Sequence, residues 1–211
     1  MALTLYNKKR NFKQTSEPAG SPAVTGKVKK SNSKLSFVIQ RHKASRLHYD
    51  FRLELDGVLK SWAVPKGPSL NPKDKRLAMM VEDHPYDYKD FAGNIPEGNY
   101  GAGIVEIWDE GTYADIENSD TKTAEKNLRA GLKSGDLKFQ LFGKKLKGEF
   151  ALVKLKSKED NSWLLIKHRD RYAVDTEYNS EAQTPKNSPI NKWLEENKKP
   201  AVKKKSSSRL R

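Results

Sequence analysis

The sequence predicts a mainly β protein: a small antiparallel β-barrel flanked by one or two short helices, with flexible basic termini. Three observations lead there. Apolar and polar residues alternate with a period of two through most of the middle of the 211-residue chain. Turn-forming Gly, Pro, Asn and Asp recur between the alternating runs. A helical period stands out in one stretch only, so helices flank the sheet and do not build the core.

The alternating runs are "FVIQRH" (37–42), "LHYDFRLEL" (47–55), "RLAMMVEDH" (76–84) and "GIVEIWDEGTY" (103–113). They continue in "LKFQLFGKKLKGEFALVKLK" (137–156), a hairpin turning between Gly143 and Gly148, and in "SWLLIKHRD" (162–170). The helix is "TKTAEKNLRAGLKSG", where Ala124, Leu128 and Leu132 recur every four residues and Gly135 supplies the stop. Residues 13–36 are rich in Ser, Pro, Gly and Lys and read as an extended arm. From about 180 the chain is again loose in character, although Ser188 and Pro189 can start a short helix over 189–199. Three segments follow: an arm (1–36) contributing to the site, a barrel (37–175), and a basic, largely flexible tail (176–211) whose final "KKKSSSRLR" can add non-specific phosphate affinity.

Composition narrows the function. Lys and Arg number 41 against 27 Asp and Glu, a net charge of +14. Such an excess points to a polyanion, nucleic acid ahead of a membrane surface. The absence of cysteine excludes disulfides and Cys-based zinc sites, and suits a reducing compartment. No run approaches the ~20 apolar residues of a membrane span, and "MALTLYNKKRNFK" is not a signal peptide. A cytoplasmic, nucleoid-associated monomer is expected.

The chemistry concentrates in "HKASRLHYDFRLELDG" (42–57). Along "LHYDFRLEL", Leu47, Tyr49, Phe51, Leu53 and Leu55 share one strand face, and His48, Asp50, Arg52 and Glu54 share the other. Solubility alone would be served by Lys, Thr or Ser. A hairpin centred on Ser45 sets His42 opposite His48, about 5 Å apart at the β-carbon, close enough to share a cation with Asp50. Two imidazoles and a carboxylate suit Mn, Fe or Zn. In "RLAMMVEDH" the alternation puts Arg76, Glu82 and His84 on one face, and "HPYDY" carries the chain to Tyr88, so these residues are expected to meet the first polar row in one cavity. His168, among alternating charges, reads as solvated.

Two stretches are set aside. "GNYGAG" (98–103) lacks the order of a dinucleotide fingerprint, and no Lys-Ser/Thr follows as in a phosphate loop; its glycines serve a turn. "LELDG" (53–57) has Glu54 where a nucleotidyl-transferring ligase needs its nucleophilic lysine.

"FVIQRHKASRLHYDFRLELDGVLKSWAVPKGPS", "MVEDHPYDYKDFAGNIPEGNYGAGIVEIWDEGTY" and "NSWLLIKHRD" together resemble the 3′-phosphoesterase domain of bacterial ligase D, over roughly residues 5–175. The resemblance implies a small barrel that heals 3′ ends of DNA or RNA during end joining. It removes a 3′-phosphate and, as a second reaction, a terminal ribonucleoside. It implies Mn2+ (with Zn2+ or Co2+ as substitutes) on His42, His48 and Asp50, with Arg52, His84 and Tyr88 as catalytic and phosphate-contacting groups. Lys66, Arg76, Arg10, Glu17 and Glu82 would support substrate binding. Separately encoded ligase, polymerase or Ku proteins would be partners. The metal and Arg52 would neutralise the phosphate, and a protonated His84 would stabilise the transition state or donate to the leaving oxygen. In the arm, "KKRNFKQTSEP" carries Asn11 where the family usually has aspartate, which predicts weak ribonucleoside removal.

Two other readings compete. "HYD" (48–50) also fits the His-x-Asp of a non-heme Fe(II) oxygenase, although the usual distant second histidine would have to be His168 and the charge would serve no purpose. A non-catalytic basic nucleic-acid-binding barrel explains the charge but not the His-Asp-Arg row. Hydrolysis of a 3′-phosphorylated oligonucleotide, with and without manganese, tests the phosphoesterase, and a decarboxylation assay tests the oxygenase.

Overall fold

The computed structural model describes residues 3–20, 34–117, 119–156 and 160–197. Ten strands form one antiparallel sheet: β1 (Leu35–Lys43), β2 (Leu47–Leu55), β3 (Val58–Val64), β4 (Lys75–Met80), β5 (His84–Pro85), β6 (Gly93–Ile95), β7 (Gly103–Asp115), β8 (Asp136–Gly143), β9 (Lys147–Lys154) and β10 (Ser162–Lys167). Their order is β1-β2-β3-β4-β10-β9-β8-β7-β6, and β1 also pairs with β7. That pairing closes eight strands into a barrel, with β6 added beside β7 and β5 beside β3. The barrel and its antiparallel pairing match the sequence expectation.

Alternation decides which side chains fill the barrel. Phe37, Ile39, Tyr49, Phe51, Leu53, Trp62, Phe139, Phe150 and Trp163 are buried together in the main core. Each large side chain of this kind stabilises the fold by about 2 kcal/mol through burial. Helix α2 (Thr121–Ser134) adds Ala124 and Leu128 to that core, with Leu132 packed against it. Its start is fixed by Asp120, whose carboxylate accepts from the backbone N–H groups of Lys122 and Thr123, and its end by Gly135 at φ 80°.

A second apolar cluster lies against the outer faces of β1, β2 and β3. Tyr6 of α1 (Thr4–Lys8) joins Leu59, Tyr88, Phe91, Ile95 and Val105 there. The even-numbered row of β2 is therefore roofed by the arm and by residues 86–95, and does not face open water. Roofing turns a polar strand face into a cavity.

Two expectations need correction. "RLAMMVEDH" is not one strand: β4 ends at Met80, and the chain rejoins the sheet only at β5, where His84 pairs with Leu59. The chain stays along the edge of β3, where the Val81 N–H bonds the Ser61 carbonyl. The register nevertheless changes by one residue between the Met80–Trp62 and His84–Leu59 pairs, and that extra residue reverses the alternation. Ala78 is buried in the main core, so Arg76 shares the inward face, whereas His84 lies on the outward one.

The second correction concerns residues 178–196, expected within a loose tail. They pack on the barrel, with Tyr178, Ser180, Thr184, Ser188 and Ile190 buried. Fully buried Arg41 anchors them: it pairs with Glu106 of β7 at 2.8 Å and donates to Glu181 and to the Asn191 side chain. The short helix is present as α3 (Pro189–Glu196), capped by Ser188. The final basic run, 198–211, and residues 21–33 of the arm lie outside the described residues. No helix among the described residues is long and apolar enough to cross a membrane.

Candidate metal and phosphate site

The β1–β2 register pairs His42 with His48 and Gln40 with Asp50, as the hairpin centred on Ser45 requires. The ligand atoms of His42, His48 and Asp50 lie within 4.8 Å of one another. His42 Nδ1 is 3.4 Å from one Asp50 oxygen, and His48 Nε2 is 3.6 Å from the other. The remaining ring nitrogens are already occupied: His42 Nε2 donates to the Gly101 carbonyl at 2.9 Å and His48 Nδ1 to the Arg46 carbonyl at 3.0 Å. A carbonyl on the far nitrogen fixes the tautomer and turns the near lone pair inward, as metal-ligating histidines require. The donor set fits a divalent transition metal.

Burial alone would raise the Asp50 carboxyl, but Arg52 and the two imidazoles hold it well below the ordinary carboxylate range. Arg52 Nη2 lies 3.1 Å from Asp50. Its Nε donates to Gln40 at 2.6 Å and its Nη1 to Ser61 at 2.9 Å, while the guanidinium sits 4.8 Å over the Tyr88 ring. A long cation is thereby held in one orientation beside the His42-His48-Asp50 group, with N–H capacity left for an anion.

The arm completes the wall. Arg10 bonds Glu17 at 2.9 Å, Glu82 at 3.2 Å and His84 Nε2 at 3.1 Å, and lies 3.8 Å over the Tyr6 ring. His84 Nδ1 donates to the Glu82 carbonyl, so Nε2 is the acceptor for Arg10 and the ring is neutral. Burial, then the Arg52 and Arg10 charges, push the His84 pKa well below its usual value. The protonated His84 expected from sequence is therefore not its state before substrate arrives. Tyr88 donates its hydroxyl to Glu17 at 2.9 Å, and burial raises its pKa, keeping it a neutral phenol.

These groups line a cavity of about 260 Å³. Of the sequence-derived candidates it collects Arg10, Glu17, His42, His48, Asp50, Arg52, Glu82, His84 and Tyr88. Lys66 and Arg76 line a different pocket with Tyr49, Asp74, Tyr178 and Glu181, because the even face of β4 points into the barrel. Arg76 is held there by Asp74 and the Tyr178 carbonyl. Glu54, on the polar row, instead accepts from the Ser36 N–H beyond the cavity. Asn11 is exposed and accepts from the Lys13 N–H. His168 is half-exposed beside Glu149.

Sequence reasoning missed Gln40, Ser61 and Thr15. Gln40 donates to the Tyr88 and Phe91 carbonyls, which directs its oxygen at Arg52. Thr15 donates to Glu17. The signal for Gln40 was present: it lies two residues before His42, on the same strand face. Ser61 is paired with Arg52 across β2–β3, which becomes visible only once that register is known.

Comparison with known proteins agrees with this geometry. The family model described as the DNA ligase D 3′-phosphoesterase domain matches residues 40–154, more than half of the chain. The multifunctional non-homologous end joining protein LigD of Pseudomonas aeruginosa is 49% identical over 170 residues, covering 80% of this chain and 19% of that protein. The LigD protein of Mycolicibacterium smegmatis is 40% identical over 169 residues, 80% of this chain and 21% of its own length. The LigD DNA repair protein of Mycobacterium tuberculosis is 43% identical over 153 residues, 72% and 18% respectively. The chain thus spans about a fifth of the length of these relatives. On the family match, the identities and the roofed His-His-Asp-Arg cavity, the chain belongs to the DNA ligase D 3′-phosphoesterase domain family.

Proposed function

We propose that the protein is a metal-dependent 3′-phosphoesterase that heals nucleic-acid 3′ ends in cytoplasmic DNA end joining, with manganese the first choice of metal and zinc or cobalt as substitutes. The observation that carries this reading is the placement of Arg52, a held fork, against a His42-His48-Asp50 ligand set in one small cavity. Charge supports it. Two guanidinium groups line the cavity against three carboxylates, Glu17, Asp50 and Glu82. A 3′-phosphate dianion would be repelled by that lining unless a divalent cation reversed the balance.

When bound by His42, His48 and Asp50, the metal supplies Lewis-acid stabilisation of a phosphate oxygen and lowers the pKa of water. Arg52 holds a second oxygen, and Gln40 and Ser61 keep its fork from reorganising as charge moves to the transition state. Arg10 shields Glu17 and Glu82 from the incoming phosphate. His84 Nε2 is the atom that takes up a proton as the phosphate charge arrives, at the cost of its bond from Arg10. Water adds to phosphorus, the P–O3′ bond breaks, and His84 delivers the proton to the leaving 3′-oxygen. Tyr88, on the cavity wall beneath Arg52, would hold a phosphate oxygen with the hydroxyl that now donates to Glu17. Removal of a terminal ribonucleoside would use the same cavity. Lys66 and Arg76, in the separate pocket beside Tyr178 and Glu181, would bind substrate away from the reacting phosphorus. The end-joining partners would be a ligase, a polymerase or Ku.

The oxygenase reading leaves Arg10 and Arg52 without an anionic substrate, and a non-catalytic barrel leaves the inward-turned imidazole lone pairs without a ligand. The test is hydrolysis of a 3′-phosphorylated oligonucleotide, with and without a terminal ribonucleotide, in manganese and in chelator. Manganese-dependent release of phosphate is expected. Chelator-resistant hydrolysis, or none at any metal concentration, would overturn the proposal.

A further inference from the structure

A second groove, of about 790 Å³, adjoins the metal cavity and shares Ala44 and Ile95 with it. Its lining includes two glycines, Gly93 and Gly103, and the small residues Ala44, Ser45 and Ala102. Gly103, paired with Ile95, sits so close to β1 that a β-carbon there would collide with the Lys43 carbonyl, and Gly93, two residues along β6, adds no side chain to the lining. One wall is Trp193 of α3, which is 37% exposed, whereas Trp62, Trp108 and Trp163 are all buried. Lys43 Nζ lies 5.0 Å over the Trp193 ring. Glu97 is the one acid among the lining residues, so the groove is nearly neutral.

The indole is held at a fixed place relative to the metal ligands. Arg41 immediately precedes His42 on β1 and points to the opposite face, where it bonds Asn191 of α3 at 2.9 Å. Glu106 accepts from the Ile190 N–H at 3.1 Å. One strand thus carries a metal ligand on one side and anchors the tryptophan platform on the other. Directly after α3 the sequence continues with Lys198, Lys199, Lys203, Lys204, Lys205, Arg209 and Arg211 and no acid.

We propose that this groove is a nucleobase subsite: an unpaired base of the strand whose 3′-phosphate occupies the metal cavity stacks on Trp193, and Lys43 meets a neighbouring phosphodiester. A neutral slot with an aromatic wall takes a base of any identity, because every base offers a π-face. Continuity with the metal cavity and the cationic sequence after α3 favour a polynucleotide over an apolar protein segment. The assignment rests on the phosphoesterase reading for the occupant of the first cavity.

Because the other three tryptophans are buried, quenching of emission by iodide reports on Trp193. The full chain, in chelator, would be titrated with a short 3′-phosphorylated oligodeoxynucleotide and with an abasic strand of the same length and phosphate count. The base-bearing strand should quench Trp193 and protect it from iodide, and the abasic strand should do neither. In manganese, Trp193→Ala should raise KM for the base-bearing strand about tenfold, leave kcat and abasic-strand hydrolysis unchanged, and be partly rescued by Trp193→Phe. Circular dichroism confirms folding of both variants. Equal quenching by the two strands, or an unchanged KM in Trp193→Ala, would overturn the subsite and leave the groove to another occupant. Base-dependent quenching without hydrolysis would sink the phosphoesterase reading alone.

Discussion

Gln40 Oε1 accepts from Arg52 Nε at 2.6 Å, and the Gln40 amide can face no other way because its nitrogen donates to two carbonyls, those of Tyr88 and Phe91. A backbone segment across the cavity thereby orients the cation on β2. Replacing Arg52 by Lys keeps the charge but cannot serve Gln40, Ser61, Asp50 and a phosphate oxygen together. Arg52→Lys should lower kcat about a hundredfold, the scale of losing a transition-state donor. Gln40→Ala should lower it less, since Ser61 and Asp50 still hold the fork. Steady-state kinetics on a 3′-phosphorylated oligonucleotide would measure both. Equal effects of the two substitutions would mean that orientation, and not the fork's own contact, is what Arg52 contributes.

The metal ligands should separate by fold stability. His48 is half-buried and makes one carbonyl bond, so His48→Ala should abolish bound manganese and hydrolysis with circular dichroism unchanged. Asp50 also partners buried Arg52. Asp50→Ala should therefore lose metal and roughly 3 kcal/mol of stability as well, from the unpaired buried charge. Metal analysis and thermal melts on the two variants check this. Full activity in His48→Ala would remove the metal assignment.

His84 gives a pH signature. Its folded pKa is depressed, so the unfolded chain binds the proton first, and the stability it contributes is complete above about pH 6.5 and lost as pH falls below that value. The facing groups are Arg10 from the arm, Arg52 and Asp50 from β2, Glu82 from the β4–β5 connection, and the Tyr6 and Tyr88 rings. Asp50 has the same sign in a separate window, lost only as pH falls below its ordinary value of 3.8. In chelator, wild-type melting temperature should fall between pH 6.5 and 5, and His84→Asn should flatten that decline. An identical slope in the variant would mean that His84 is not the buried neutral group.

Local alternation was enough to read the hairpin, the His42–His48 pairing and the row Asp50–Arg52, because period-two patterning fixes side-chain direction within one strand. It failed at "RLAMMVEDH", where one extra residue between the Met80–Trp62 and His84–Leu59 pairs reverses the alternation and parts Arg76 from His84. The anchoring of 178–196 was not legible either. It depends on Arg41, whose burial follows from a β1–β7 closure that no local pattern announces.

The arm supplies the last prediction, and here the structure departs from the sequence expectation. Arg10 reaches the cavity by bonding Glu17, Glu82 and His84, and none of these bonds involves residue 11. Asn11 turns to solvent and closes its own local turn through the Lys13 N–H, a contact that an aspartate makes equally well. Asn11→Asp should therefore leave both 3′-phosphate removal and terminal ribonucleoside removal within about twofold of the natural protein, as for an exposed surface change. Arg10→Ala should lower both rates, because it leaves Glu17 and Glu82 unshielded beside the phosphate and frees His84 Nε2. The check is to measure both reactions in the natural protein and the two variants. A selective gain in ribonucleoside removal in Asn11→Asp would show that the arm rearranges on binding a ribose, bringing residue 11 into the cavity.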